Sequence, residues 1–111
     1  MDREKAIDEA KFTSGELREA LVERHSEETQ QKLEQGRVAI AGLGGLGSNV
    51  AIALTRIGVG HLHLLDFDRV DLTNLNRQQY FLDQVGRYKT EALSETLQRI
   101  NPYLDIRFDT V

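Results

Sequence analysis

The stretch RVAIAGLGGLGSNVAIALTRIGVGHLHLLDFD, residues 37–68, decides the fold of this chain. Arg37–Ala41 is a short, mostly apolar and β-branched run, which predicts a buried strand leading into a glycine-rich turn. Apolar residues at helical spacing follow, Gly58 and Gly60 end that helix, and His61–Leu65 predicts a second strand. Strand, glycine turn, helix and strand form a βαβ unit, in which the two strands are parallel.

The glycine turn has the composition of a phosphate-binding turn. Glycines let the backbone approach a phosphate closely, and the helix that follows offers free N–H groups and the positive end of its dipole. Asp66 follows the second strand 19 residues after Gly47, where an acid that binds ribose hydroxyls is expected. The pattern therefore favours nucleotide binding over the alternative, a glycine turn kept only for close packing of helix against strand.

Length and composition indicate one small globular domain. The chain has 111 residues, of which 40% are hydrophobic and 29% charged, and it has no apolar run long enough to cross a bilayer. The N-terminus lacks the apolar segment of a signal peptide, so we expect a cytoplasmic protein without membrane association. The sequence contains no cysteine, which excludes disulfides, cysteine zinc sites and thiol catalysis within these residues.

The net charge of −4 is unevenly distributed along the chain. Residues 1–36 contain ten acids and six bases, whereas residues 37–111 contain eight of each. The nucleotide-binding half therefore carries no charge excess, and nothing in it resembles the basic stripe of a nucleic-acid-binding protein.

Residues 1–36 are predicted to form an N-terminal helical arm. Residues 1–13 show little apolar periodicity, which indicates a mobile segment or a loose helix. Ser14 and Ser26 are expected to cap two helices, and Gly36 is expected to close the second in a left-handed conformation. Both helices are weakly amphipathic, which favours an arm packed on another surface; the alternative is a solvated face.

The polar segment Arg69–Gln79, RVDLTNLNRQQ, follows the carboxyl end of the second strand. Ligands of open parallel sheets bind outside the carboxyl ends of the strands. We therefore expect several polar side chains on the same side as the glycine turn, namely Asn74, Asn76, Arg77, Gln78 and Gln79. Arg77 could grip phosphate oxygens with its guanidinium fork. The alternative is a surface loop in which Arg77 pairs with Asp68 or Asp71.

The rest of the chain predicts one more helix and one more strand. Tyr80–Leu82 is an apolar patch expected to pin the polar loop, Tyr88–Ile100 has helical periodicity, and Leu104–Phe108 alternates like a strand. Lys89 falls in the first turn of that helix, where a positive charge opposes the dipole. A phosphate in front of the helix would explain this lysine; the alternative is an ordinary exposed lysine. The predicted fold is α/β, with a Rossmann-like parallel sheet of three strands.

His61 and His63 lie two residues apart on a predicted strand, so both side chains point to the same face. This spacing is compatible with a metal pair. We favour ordinary histidines at the start of a strand, and we predict no metal site from these residues.

Three segments together resemble a known family. GLGGLGSN, LLDFDRVDLTNLNRQQ and GRYKTEAL, in this order and spacing, resemble the ubiquitin-activating superfamily, whose bacterial members include ThiF, MoeB and HesA. The similarity is greatest to ThiF, and the pattern D-x-D-x-V-x-x-x-N-L-N-R-Q followed by G-x-x-K is far more specific than the glycines. The resemblance covers about residues 24–111. It implies that residues 37–111 are the N-terminal half of a nucleotide-binding Rossmann-like domain.

The resemblance implies an adenylating enzyme that uses ATP and Mg²⁺. Its expected substrate is the C-terminal glycine of a ubiquitin-like sulfur-carrier protein, similar to ThiS or MoaD, as in thiamine or molybdopterin biosynthesis. The residues implied to bind ATP are Gly42, Gly44, Gly45, Gly47, Asp66, Asp68, Asn74, Arg77, Gln78 and Lys89. Arg77 and Lys89 are also implied to act in catalysis.

The resemblance also implies a homodimer, in which an arginine from the partner's N-terminal helix reaches the site. The family's arginine pattern is not visible here, and Arg18 or Arg24 is the nearest substitute. The family's Mg²⁺-binding aspartate is expected beyond Val111, and its paired CxxC motif and catalytic cysteine are not in this sequence. A dimer is expected for a second reason, since Arg37–Ala41 would have a free edge without a fourth strand.

Two other functions remain open from the sequence. A NAD-dependent oxidoreductase fragment would share the glycine motif but would leave Asn74, Arg77 and Lys89 without a role. A non-catalytic interaction module would bind a ubiquitin-like partner, or a second copy, without chemistry.

Overall fold

The computed structural model describes residues 3–111, which form five α-helices and three β-strands. The helices are α1 (Arg3–Asp8), α2 (Ser14–His25), α3 (Glu27–Gln35), α4 (Gly45–Ile57) and α5 (Lys89–Ile100). The strands are β1 (Arg37–Ala41), β2 (His61–Leu65) and β3 (Asp105–Asp109), with short 3₁₀ turns at Leu72–Asn74 and Leu82–Gln84. Within residues 3–111, no helix combines the length and apolar character that crossing a membrane would require.

The three strands form one parallel sheet in the order β1-β2-β3. Helix α4 connects β1 to β2, and α5 lies between β2 and β3 along the chain. The α/β fold and the Rossmann-like arrangement of the strands are therefore confirmed. Because the strands are parallel, their carboxyl ends lie at one edge of the sheet, where the glycine turn also begins.

The core lies between the sheet and helices α4 and α5. Ile40, Leu62 and Leu64 alternate along β1 and β2 and are buried, and they belong to one apolar cluster with Ala51 of α4 and Leu93 of α5. The residues between them point to the opposite face of the sheet. That opposite face is polar and partly exposed, unlike the usual parallel sheet, in which both faces are buried.

The arm follows the predicted helices with two corrections. The N-cap of α2 is Thr13 rather than Ser14, because the Thr13 hydroxyl accepts from the Glu16 N–H while the Glu16 carboxylate accepts from the Thr13 N–H. Ser26 caps α3 as predicted. Gly36 is not left-handed: its φ of −65° and ψ of 136° are extended, because the chain runs directly into β1.

Hydrogen bonds attach the arm to the amino ends of the strands. The N–H of Gly60 donates to the Leu33 carbonyl, and the N–H of His61 donates to the Gly36 carbonyl. A Cβ at Gly60 would lie 1.8 Å from the Glu34 carbonyl oxygen, so only glycine permits this approach. The arm therefore packs at the end of the sheet opposite the glycine turn. The division into an arm and a Rossmann half at residue 36 remains a prediction.

Smaller differences concern the start of the chain and the later elements. Residues 3–8 form a short helix, which is the second of the two predicted alternatives for residues 1–13, and residues 1 and 2 lie outside the described residues. The third strand is shifted by one residue from its predicted bounds, to Asp105–Asp109. Only Tyr80 of the predicted apolar patch is buried, whereas Phe81 and Leu82 are 51% and 71% exposed. The patch therefore pins the loop through one side chain.

Candidate functional site

The glycine turn has a conformation that few other residues could adopt. Gly42 has a φ of 94°, which side chains disfavour, and a Cβ at Gly47 would lie 1.8 Å from the Gly42 carbonyl oxygen. Gly44 is the N-cap of α4 and supplies no side-chain hydrogen bond to the helix. The first turn of α4 therefore presents backbone N–H groups without a side-chain acceptor, next to the positive end of the helix dipole.

Asp66 lies directly behind this turn and is bonded to it. One carboxylate oxygen accepts from the Leu43 N–H at 2.7 Å, and the other accepts from the Asp68 N–H at 2.7 Å. A carboxylate has about four acceptor positions, so capacity for two ribose hydroxyls remains. The side chain of Asp68 is exposed beside it. Asp66 thus also has a structural hydrogen bond to the glycine turn, while the binding of ribose by Asp66 and of ATP by Asp68 remain predictions.

Arg77 and Gln78 lie against the glycines that begin α4. A Cβ at Gly45 would lie 3.7 Å from the Arg77 Cγ, and a Cβ at Gly44 would lie 3.7 Å from the Gln78 Nε2. Gln78 is only 8% exposed, and its Oε1 has no hydrogen-bond partner among residues 3–111. The predicted placement of this segment beside the glycine turn is therefore seen for these two side chains.

Arg77 is exposed, and its guanidinium donates to a neutral side chain, the Asn76 Oδ1 at 3.1 Å. Within the described part of the chain, no carboxylate lies within ion-pair distance of Arg77. The alternative in which Arg77 pairs with Asp68 or Asp71 is thus not observed. Its charge is available to a ligand.

Asn74 is engaged within its own loop. Its Oδ1 accepts from the Asp71 N–H at 3.0 Å, and its carbonyl accepts from the N–H groups of Arg77 and Gln78. The Asp71 carboxylate accepts from the Thr73 N–H and hydroxyl. These bonds, together with the charge of Lys89, lower the pKa of Asp71. Asn74 therefore fixes the loop that carries Arg77; direct contact with a triphosphate remains a prediction.

Lys89 is the first residue of α5 and is only 6% exposed, so the alternative of an ordinary exposed lysine is wrong. Its N–H donates to the Asp68 carbonyl, which ties the start of α5 to the end of β2. The guanidinium of Arg69 stacks on the Tyr88 ring at 3.9 Å and holds the same junction. No carboxylate among residues 3–111 forms an ion pair with Lys89. Lys89 is therefore a nearly buried lysine at a helix N-terminus without an ion-pair partner in this part of the chain, which makes it a candidate for binding an anion.

Contacts from Tyr80, Ser48 and Asn49 that shape the site were not predicted from the sequence. The Tyr80 hydroxyl donates to the Leu43 carbonyl at 2.7 Å, and this hydrogen bond holds the glycine turn in place. Burial and the Asp66 carboxylate raise the pKa of Tyr80, so the hydroxyl stays protonated and remains a donor. Ser48 and Asn49, directly after the last glycine, bond to the segment that carries Arg77. Small polar residues at that point of a helix are the signal that could have indicated such contacts.

Two other sets of predicted residues lie away from the turn. Arg18 pairs with Glu27 and Glu34 of α3, and these carboxylates raise its pKa; Arg24 is exposed on α2. Arg18 thus has a structural role in this chain, joining α2 to α3.

His61 and His63 lie on the polar face of the sheet. Each pairs with its own aspartate of β3, Asp105 at 3.0 Å and Asp109 at 2.7 Å. The hydrogen bond from His61 lowers the pKa of Asp105. Residues 3–111 contain no group of three or more His, Asp or Glu side chains arranged to hold a metal ion.

Comparisons with known proteins identify a family and several relatives that this chain resembles. The model of the ThiF family matches residues 17–110. Ubiquitin-like modifier-activating enzyme 5 of Drosophila persimilis is 41% identical over 103 residues, which cover 93% of this chain and 25% of that protein. This chain therefore spans about a quarter of the length of that relative.

Two solved structures share the fold. The E. coli tRNA N6-threonylcarbamoyladenosine dehydratase TcdA, solved in complex with ATP, has a TM-score of 0.82 at 32% identity, covering 86% of this chain and 40% of that one. E. coli MccB, solved with ATP, has a TM-score of 0.72 at 36% identity, covering 74% of this chain and 25% of that one.

Proposed function

Because the chain belongs to the ThiF family, we propose that it is the nucleotide-binding part of an ATP-dependent enzyme that adenylates the C-terminal carboxylate of a ubiquitin-like protein. Within that class we propose a sulfur carrier similar to ThiS or MoaD, since the motifs are most similar to ThiF. The names of the relatives support the broader class, because the fly protein is a ubiquitin-like modifier-activating enzyme.

The observation that carries this proposal is the unpaired, nearly buried Lys89. Lys89 is 6% exposed, and no carboxylate among residues 3–111 forms an ion pair with it. An anion beside it would compensate the charge, and the uncapped first turn of α4 offers N–H donors to the same anion. Arg77 supplies a second cation near that turn. This donor set suits a triphosphate, which is an acceptor with several negative charges.

The remaining residues fit the rest of ATP. Gly44 and Gly45 leave room beside Gln78 and Arg77 that a Cβ would narrow, and Gln78 has an unpartnered polar atom there. Asp66 offers acceptor positions for ribose hydroxyls. We propose Mg²⁺ as the partner of ATP, although the described residues do not themselves form a metal site.

The proposed chemistry asks for charge neutralisation rather than proton transfer. A C-terminal carboxylate has a pKa of about 3.5 and is ionised at neutral pH, so its oxygen can attack the α-phosphorus of ATP without a general base. That oxygen forms a bond to the phosphorus as the bond to the departing pyrophosphate breaks. Arg77 and Lys89 would lower the repulsion between the two anions and stabilise the charge on pyrophosphate.

The first test is nucleotide binding by the 111-residue chain. Isothermal titration with ATP and Mg²⁺, and separately with NAD, should show binding of ATP in preference to NAD. Binding of NAD alone would support the oxidoreductase alternative instead. No binding of either nucleotide would contradict the proposed function.

The second test separates catalysis from binding. Labelled pyrophosphate should exchange into ATP when a ThiS-like carrier is added, and should not when the carrier lacks its C-terminal glycine. ATP binding without exchange would favour the non-catalytic alternative for this chain. Comparing a sulfur carrier with another ubiquitin-like protein in the same assay would test the narrower substrate proposal.

A further inference from the structure

Asn49, on the first turns of α4, bonds to two segments that are distant in sequence. Its Nδ2 donates to the Gly45 carbonyl at 2.5 Å and to the Arg77 carbonyl at 3.3 Å. Its Oδ1 accepts from the Gln79 Nε2 at 2.8 Å. The side-chain amide of Asn49 thus connects the beginning of α4 to the backbone of Arg77 and to the side chain of Gln79.

Ser48 strengthens the same junction. Its hydroxyl, which is fully buried, accepts from the Gln79 N–H at 3.2 Å. The polar segment is therefore attached to α4 through both the backbone and the side chain of Gln79. We refer to Ser48, Asn49 and Gln79 as the loop clamp.

The loop clamp matters because Asn74 holds Arg77 only within its own loop, whereas the clamp attaches that loop to α4. The guanidinium of Arg77 is exposed and has no carboxylate partner among residues 3–111, so its long side chain is free to sample many rotamers. Its stem lies over Gly45, the residue whose carbonyl Asn49 also binds. Fixing the backbone of Arg77 at that point limits where the guanidinium can reach. A cation that is placed before the ligand arrives loses less entropy on binding.

We propose that Asn49 is a positioning residue, which acts with Gln79 to hold Arg77 beside the glycine turn for a nucleotide phosphate. This inference rests on the proposed function, since it assumes that Arg77 meets a phosphate. Asn49 itself bonds to protein groups, so its effect on binding passes through Arg77.

A double-mutant cycle tests this dependence. Asn49→Ala should weaken ATP binding about 5-fold, the scale of one neutral hydrogen bond, and Arg77→Ala about 10-fold or more. The double variant should bind ATP no more weakly than Arg77→Ala alone, because Asn49 has nothing left to position. Additive losses, with the double variant about 5-fold weaker than Arg77→Ala, would overturn the proposal.

Matched variants separate positioning from folding. Gln79→Ala removes the side-chain bond to Asn49 and leaves α4 and the backbone bond to Ser48 intact, so it should weaken ATP binding in the same direction even if Asn49→Ala unfolds the helix. Gln31→Ala removes an exposed amide from α3, distant from the turn, and should leave the dissociation constant unchanged. Equal binding by Gln79→Ala and the unmodified chain would overturn the proposal.

A measurement without nucleotide distinguishes this inference from the proposed function. Amide hydrogen exchange by NMR should show faster exchange at Gln79 and Arg77 in Asn49→Ala than in the unmodified chain. If the unmodified chain binds no ATP, the proposed function fails, and exchange still decides whether Asn49 orders the segment. Unchanged exchange in Asn49→Ala would overturn the positioning role whatever the binding result.

Discussion

The two ends of the sheet use their cations differently. At the amino end, Arg18 is engaged by Glu27 and Glu34, so its charge joins two helices of the arm. At the carboxyl end, Arg77 and Lys89 have no ion-pair partner within residues 3–111. The first pattern is typical of a charge used for structure. The second is typical of a charge kept for a ligand, because a cation without an ion-pair partner adds no ion pair to the stability of the chain alone.

A scarcity of acids does not explain the difference. The chain carries four more acids than bases, and Arg87, only two residues before Lys89, forms a two-pronged pair with Glu95 at 2.7 and 2.9 Å. The same turn of chain thus holds one paired and one unpaired cation. Local geometry, rather than composition, leaves Lys89 without an ion-pair partner in the described part of the chain.

The largest effect should come from replacing Lys89. Lys89→Met keeps most of the apolar stem and removes the charge, so ATP affinity should fall about 30- to 100-fold, the range for a charge-assisted hydrogen bond. The melting temperature should stay nearly constant, because no ion pair of Lys89 within residues 3–111 is lost and the apolar stem is kept. Calorimetric titration and thermal unfolding measure the two quantities on the same sample.

Arg18→Gln is the matched control from the other end of the sheet. It should lower the melting temperature slightly and leave ATP affinity unchanged, and high salt should reduce its effect on stability. The comparison fails if Lys89→Met destabilises the chain with no loss of ATP affinity, since Lys89 would then be a structural residue.

Asp66 should show the next largest effect. Asp66→Ala should weaken ATP binding by about 10-fold, because it removes a charged acceptor for ribose hydroxyls and frees the Leu43 N–H. The decisive readout is the ratio of affinities for ATP and for 2′,3′-dideoxy-ATP, measured by titration. That ratio should exceed one in the unmodified chain and fall to about one in Asp66→Ala.

Asp68→Ala is the control for this assignment, because Asp68 is exposed and lies two residues further along. It should retain most of the preference for ATP over the dideoxy analogue. If the preference is lost in Asp68→Ala and kept in Asp66→Ala, then Asp66 supports the turn and Asp68 holds the ribose.

The structural features that depend only on residues adjacent in sequence were predictable from sequence patterns. The bounds of β1, the glycine turn and the stop at Gly58, which is left-handed with a φ of 98°, all follow from local preferences. The unusual position of Lys89 was also recognisable, because a cation at a helix start opposes the dipole. Contacts across the fold were not predictable: Gln79 meets Asn49 across 30 residues, and Tyr80 meets Leu43 across 37. These contacts depend on the path of the polar loop, which has no periodicity to reveal it.

Gly36 and Thr13 show a second limit of local patterns. Gly36 has the residue type of a left-handed cap, yet the strand that follows at once keeps it extended. Thr13 caps α2 because Glu16 can return the hydrogen bond, whereas Ser14 was the equally plausible local choice. The strand that follows determines the conformation of Gly36, and the side chain of Glu16 determines which residue caps α2.

A smaller effect is expected from the paired cation beside Lys89. The hydrogen bond from Arg87 lowers the pKa of Glu95 to about 2, from an ordinary value of 4.5. A carboxyl with a depressed folded pKa stabilises the fold above pH 4.5 and loses that contribution as the pH falls towards 2. Since the pair is partly exposed, Glu95→Gln should cost about 0.5 to 1 kcal/mol at pH 7.

Urea unfolding between pH 7 and pH 2.5 checks this prediction. The stability difference between the unmodified chain and Glu95→Gln should shrink over the acid range, while ATP affinity at pH 7 stays the same in both. A constant difference down to pH 2.5 would show that the pair is not the cause. A loss of ATP affinity in Glu95→Gln would show that the Arg87–Glu95 pair also supports nucleotide binding. Arg87 would then not be a purely structural cation in contrast to Lys89.

The weakest expected effect concerns self-association. Within residues 3–111, β1 pairs only with β2, so its other edge presents unpaired N–H and C=O groups. Helix α4, which packs on β1, exposes Leu46, Val50 and Ile57 at helical spacing. The backbone hydrogen bonds between the arm and the sheet lie at the amino ends of the strands. We therefore propose that two copies associate through the β1 edge and the exposed side of α4.

Sedimentation equilibrium at tens of micromolar should show a dimer of the unmodified chain. Val50→Lys, on the exposed side of α4, should shift the chain towards the monomer, because a charge there opposes burial of the surface. Thr29→Lys adds the same charge to the exposed side of α3 and should not change the association. An unmodified chain that is monomeric throughout this range would contradict the proposal. Equal shifts by both variants would show that added charge, rather than its place on α4, weakens the association. That result would contradict association through the exposed side of α4.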